Sequence, residues 1–207
     1  MRDAPQNGQI LVIACGALAH EITALIKLNN WQHITLTCLP AIWHIHPEKI
    51  SDGVEKLYLK HCNDYQTILI AYADCGTGGG LQRTCDRLGI PMIEGPHCYS
   101  FFQGNAAFAT QSEDEITTFY LTDFLARQFE AFVIKPLGLD RHPQLRDDYF
   151  GHYEKLVYMA QTEDAELDVA AREAAKYLGL EYEKRDTGYG DLQGFLSDAA
   201  QAKIGKV

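Results

Sequence analysis

The chain has 207 residues, 46% of them hydrophobic and 22% charged, which fits one compact globular domain with a sizeable buried core. Its longest apolar runs, such as residues 10–15, fall far short of the roughly 20 residues a membrane helix needs, and residues 1–7 carry no apolar signal segment, so a cytoplasmic protein without a membrane span is expected. Eighteen basic against 28 acidic residues give a formal charge of -10, and no stretch concentrates Lys or Arg, which argues against a nucleic-acid partner.

Residues 9–15 form a continuous β-branched and apolar run that ends at Gly16, the pattern of a strand buried on both faces. Residues 17–29 place Leu18, Ile22, Leu25 and Ile26 at helical spacing. The unit repeats: strand 34–39, then Trp43-His44-Ile45-His46-Pro47, then a helix over about 48–61. A third strand, 66–72, runs into Ala73-Asp74-Cys75-Gly76-Thr77-Gly78-Gly79-Gly80 and a short helix, and a fourth, 90–93, leads to His97-Cys98-Tyr99. Strands at 117–121 and 155–159, a helix at 123–131, a strongly helical segment at 165–178, an edge strand at 181–185 and a last helix continue the alternation. The expected fold is α/β, a three-layer sandwich on a mostly parallel, Rossmann-like sheet. Residues 1–207 read as a single α/β domain, or as two lobes divided by an irregular bridge at 136–151.

Loops leaving the carboxyl ends of parallel strands line one edge, where ligands bind. Four successive strands end, within a few residues, in Cys15, in His44 and His46, in Cys75, and in His97 with Cys98. Thiolate and imidazole are preferred ligands of zinc and related ions, and about four donors complete a site. None of these residues has the CxxC spacing of a zinc ribbon, so the set depends on the fold to assemble it. Cys15 and Cys75 precede helix starts, where partial positive charge favours thiolate. Cys38, Cys62 and Cys85 are assigned to packing. His44 and His46 alternate on an extended segment, so one of the two is expected to reach a shared centre. His20 and Glu21 open the first helix as surface groups within range of an outer role. The glycine-rich loop offers amides for a phosphate, yet it lacks both the P-loop ending and the dinucleotide spacing. The acidic run Glu113-Asp114-Glu115 reads as a solvated loop or helix start.

The motifs Ala14-Cys15-Gly16, Trp43-His44-Ile45-His46-Pro47-Glu48-Lys49-Ile50, Tyr72-Ala73-Asp74-Cys75-Gly76-Thr77-Gly78, His97-Cys98 and Phe119-Tyr120-Leu121-Thr122 resemble those of the family catalogued as domain of unknown function 1638, over about residues 9–196. The resemblance singles out Cys15, His44, Cys75 and Cys98. His97 stands where relatives tend to have aspartate, and Ala73 where they have glycine. The resemblance also implies a setting near corrinoid-dependent methyl-transfer and methylamine systems.

Three readings follow from these residues. In the first, Cys15, His44, Cys75 and Cys98 hold zinc or an iron–sulfur cluster, with His46, His97, Gly76, Gly78, Tyr99 and His20 as additional site residues. The protein is then an enzyme of methyl-transfer, lyase or hydrolase type, or an accessory protein, acting on a small molecule and partnered by a corrinoid or methyltransferase protein. In the second, Cys75 and Cys98 are the paired thiols of a cofactor-independent racemase or isomerase. In the third, Tyr99, Phe101 and Phe102 form the wall of a corrinoid- or pterin-binding module without catalysis.

Overall fold

The computed structural model describes residues 9–112 and 115–202, and the chain divides into two compact units. One unit is built from the described residues up to Phe101 together with those from Asp191 onward, the other from Phe102 to Gly190.

In the first unit the uninterrupted apolar run makes β1 (Ile10–Cys15), buried at every residue. A 3-10 turn over Gly16–Leu18 follows, so α1 (Ala19–Leu28) starts two residues later than the periodicity suggests. Next come β2 (Ile34–Leu39), 3-10 turns at Ala41–Ile45 and Pro47–Lys49, α2 (Ile50–His61), β3 (Thr67–Ala71) and α3 (Gly80–Leu88). The sheet is parallel with order β2-β1-β3; Ile10 lies opposite Ile34 on one side and Thr67 on the other. The chain therefore starts in the middle, adds a strand on one side, then crosses to the other. The point where strand order reverses is the carboxyl end of β1 and β3, and a crevice opens there in such sheets. Ile10, Val12, Ile13, Ile22, Leu25 and Ile70 form part of the core.

The fourth strand expected at 90–93 is reduced to a single parallel bridge between Ile70 and Met92. Pro91 has no amide to donate, so only the carbonyl of Pro91 and the amide of Ile93 pair with Ile70, at 2.9 and 3.0 Å. A run this short does not hand the sheet on, and the strands that follow build a separate one.

Short helices α4 (Ser100–Gln103) and α5 (Asn105–Ser112) lead to that second sheet, which belongs to the second unit. Its strands β4 (Thr118–Thr122), β5 (Lys155–Ala160) and β6 (Glu181–Asp186) are parallel and in sequential order, without a reversal. Between them lie α6 (Asp123–Arg127), a π-helical turn at Glu130–Ile134, α7 (Leu145–Phe150) and α8 (Ala165–Leu178). Asp164 caps α8 by accepting the amides of Glu166 and Leu167, and Gly179 ends it in the left-handed conformation. Leu121, Leu156, Tyr158, Leu167, Ala171 and Leu178 pack in its core. Residues 136–151, expected as a bridge, lie inside this unit. Helix α9 (Gly190–Gln201), with Leu192 and Leu196 buried, belongs to the first unit from Asp191 onward.

The class is thus α/β with parallel sheets and covering helices, carried by two three-stranded sheets and not by one continuous sheet. Among the described residues no helix is long and apolar enough to cross a membrane.

Candidate thiolate site

Cys15 is the last residue of β1 and is 3% exposed; Cys75, four residues beyond the end of β3, is 4% exposed. Two backbone hydrogen bonds zip the β3 exit to the segment before Cys98: the amide of Asp74 donates to Gly95 and that of Cys75 to Pro96, each at 3.2 Å. The zip brings the sulfurs of Cys75 and Cys98 to 3.3 Å. Cys15 lies close enough to Cys98, and the imidazole of His44, on the exposed turn Ala41–Ile45, close enough to Cys75, for each to shift the other's ionisation. Cys15, His44, Cys75 and Cys98 therefore meet at the reversal point of the first sheet.

Three thiols in contact cannot share their protons equally. Cys98, beside both Cys15 and Cys75, is pushed well above the ordinary thiol value and keeps its proton. The hydrogen bond from Cys98 pulls Cys75 down to about 5 against the desolvation of its buried site, with help from His44. Cys15 is lowered for the same first reason. The partnership with Cys75 raises His44, so the pair leans toward thiolate and imidazolium. Tyr72 is wholly buried, and its hydroxyl lies close enough to Cys15 for each to bias the other's ionisation. Among the described residues the phenol oxygen is nevertheless buried without a hydrogen-bond partner. Tyr72 is a site residue that the hydrophobic pattern hid, because it reads as the end of a strand.

The loop after β3 is set by Asp74. Its carboxylate accepts the Thr77 hydroxyl at 2.6 Å and the amides of Gly79 at 2.7 Å and Gly78 at 3.1 Å. These bonds hold the Asp74 carboxyl below its usual range. Cys75 takes a left-handed backbone conformation with φ +45°, followed by positive φ at Gly76, Gly78 and Gly79. A left-handed non-glycine residue is strained, and here the Asp74 hydrogen bonds oppose its relaxation. The same bonds agree with the weakness of the phosphate-loop motif: the amides of Gly78 and Gly79 already face the chain's own carboxylate.

The other predicted residues are placed as follows. His46 is exposed beside Glu48, at 3.6 Å, and His20 is exposed at the start of α1. The rings of His97 and Tyr99 stack at 4.8 Å, and burial lowers the His97 imidazole so that it favours the neutral form. Gly76 and Gly78 serve the turn. Phe101 and Phe102 are buried. Glu21, expected on the surface, is 4% exposed, whereas Cys38, expected to be packed, is exposed because β2 is an edge strand. Cys85 is buried as expected. Cys62 lines a cavity of about 220 Å³ with Tyr58, Thr67 and Pro91, at the opposite end of β3. Glu113 and Asp114 lie outside the described residues; Glu115, expected to be solvated, is bound by Arg185 and Lys155.

Three cysteines and a histidine suit a soft divalent ion by type and number. Among the described residues, however, no three His, Cys, Asp or Glu side chains stand around a ready-made ion position. Zn–S bonds of about 2.3 Å at tetrahedral angles imply sulfurs about 3.8 Å apart, so the contact between Cys75 and Cys98 would have to open by about 0.5 Å. By type these donors suit such an ion; as they stand, among the described residues, they do not form an ion position.

The family model described as "Protein of unknown function (DUF1638)" matches residues 38–196, more than half of the chain. The matched span contains His44, Cys75 and Cys98 and begins after Cys15. No curated protein and no solved structure matches.

Proposed function

Because the chain belongs to the DUF1638 family, whose description names no activity, we propose a function from the site itself: a metal-dependent α/β protein in which Cys15, His44, Cys75 and Cys98 hold one zinc-class ion. The observation that carries this reading is the sulfur contact of Cys75 and Cys98, at 3.3 Å, inside a cluster of three thiols and an imidazole. Close sulfurs favour a single ion over an iron–sulfur cluster, which holds its ligands apart by its own width. Bound there, the ion supplies Lewis acidity and keeps the thiolates deprotonated. The chain's own contributions are distinct. Cys15 and Cys75 provide thiolates on rigid strand exits, Cys98 gives up its proton on binding, and Tyr72 offers a phenol to Cys15. His44 stands on the exposed side, and is the donor an incoming small molecule meets first. One-carbon, corrinoid-linked metabolism is the setting carried over from the family resemblance. For a corrinoid or pterin wall, Tyr99 stacked on His97 is the ring that is partly exposed, since Phe101 and Phe102 are core side chains.

Protein purified without oxygen and reconstituted should carry about one zinc-class ion per chain; less than about 0.2 per chain overturns the reading. A second reading is favoured by the lack of a ready-made ion position among the described residues. In it, the Cys75 thiolate and the Cys98 thiol exchange a proton at a substrate carbon without metal. Deuterium exchange at an amino acid α-carbon that survives chelation would support this second reading.

A further inference from the structure

We propose that Cys75 and Cys98 are a thiol–disulfide exchange pair that closes into a disulfide on meeting a small-molecule disulfide. Their sulfurs are 3.3 Å apart and both cysteines are free. A disulfide requires about 2.05 Å, so the pair must close by only about 1.3 Å. The backbone bonds from Asp74 to Gly95 and from Cys75 to Pro96 hold the two segments side by side throughout. Cys75 belongs to a loop with four positive φ angles, and its neighbour Gly76 is exposed, which gives an attacking group a way in. It is also the thiol with an imidazole beside it, that of His44.

The chemistry balances with a low-molecular-weight disulfide as oxidant. The Cys75 thiol releases its proton to solvent and its sulfur attacks one sulfur of that disulfide; the external S–S bond breaks, and the bonding pair leaves on the first departing thiolate, which takes up a proton. Cys98 loses its proton to solvent, and its sulfur attacks the Cys75 sulfur. The mixed disulfide breaks and the second thiolate departs and is protonated. Two protein thiols are oxidised, and one external disulfide is reduced to two thiols. Where the proposed metal reading holds, on which this consequence rests, closure removes two of the four donors and releases the ion.

The experiment uses the full chain after chelation, so that it does not depend on the metal reading. The protein is incubated with oxidised glutathione, digested without reduction and mapped by mass spectrometry. The expected result is a peptide pair joined through Cys75 and Cys98, with glutathione trapped on Cys75 when Cys98→Ser blocks the second step. Wild-type protein yielding only mixed disulfides, or a bridge from Cys15 to Cys98, overturns the proposal. The wild-type map decides even if the variant does not fold. Bound metal in a chain that never forms the bridge refutes this inference and leaves the ligand reading standing.

Discussion

The indole of Trp43 lies directly on Gly53 of α2, where a Cβ would come within 3.0 Å of two ring atoms. A glycine in a helix interior costs about 1 kcal/mol relative to alanine. Here it makes room for the ring next to His44, and so fixes the turn Ala41–Ile45 against α2. Gly53→Ala should therefore push Trp43 outward, and His44 with it. Overpacking of this kind costs about 1–3 kcal/mol, and the expected functional result is about 10-fold weaker Co(II) binding with every ligand still present. Unchanged affinity, measured by competition with a coloured chelator, would show that the turn does not position His44.

Asp74 sets the loop of Cys75 without touching a sulfur. Asp74→Ala frees the Thr77 hydroxyl and the Gly78 and Gly79 amides, and should cost about 1–3 kcal/mol in urea unfolding. Asp74→Asn keeps one oxygen for Thr77 and Gly79 and should recover part of the loss, while its amide group opposes the Gly78 amide. Equal effects of the two substitutions on stability and on Cys75 alkylation would contradict a role through these particular bonds.

The ionisation of Cys75 can be read from its alkylation by iodoacetamide in metal-free protein. With the thiol lowered to about 5, chiefly by Cys98 and then by His44, reactivity should rise through about pH 5 and not near the ordinary 9.0. Replacing His44 by Asn removes the cation beside it, so the midpoint should move upward. A wild-type midpoint near 9.0 would mean that the thiols do not share their protons as described.

In the second unit, Glu115 accepts Arg185 at 2.5 and 3.0 Å and Lys155 at 3.0 Å. Arg185 is the first cause that lowers its carboxyl from 4.5 to about 2. A group depressed on folding stabilises fully above its unfolded value, and that contribution is lost as pH falls through the folded value. Wild-type protein should therefore lose stability between pH 4.5 and about 2, and Glu115→Gln should flatten that slope and cost about 2 kcal/mol at neutral pH. Parallel pH profiles for the two proteins would dismiss the ion pair as a source of acid sensitivity.

The parts of this structure that the sequence made legible are those governed by hydrophobic period and by strand ends. The run before Cys15 could only be a doubly covered strand, and the positions of Cys75 and Cys98 after two further runs placed them at the same edge. What stayed hidden depends on backbone angles or on sheet order. The capture of the glycine amides by Asp74 requires the left-handed turn at Cys75, which no spacing encodes. Cys38 is exposed because β2 is an edge, a property of strand order, and the same order sets β1 between β2 and β3. Pro91 was visible, but its consequence, the loss of a fourth strand and the start of a separate sheet, follows from one absent amide. Tyr72 stands at the end of the third run and in the motif that carries Cys75, but neither pattern shows that its phenol is buried beside Cys15.

Titration of the metal-free, reduced chain with Co(II) tests the central claim most directly, because thiolate-to-cobalt absorption reports both the ligand type and the stoichiometry. The expected result is a sharp endpoint at about one ion per chain, with thiolate charge-transfer bands that weaken when Cys75 or Cys98 is replaced by Ser. A titration with no saturable thiolate absorption, in protein whose cysteines are all reduced, would contradict it.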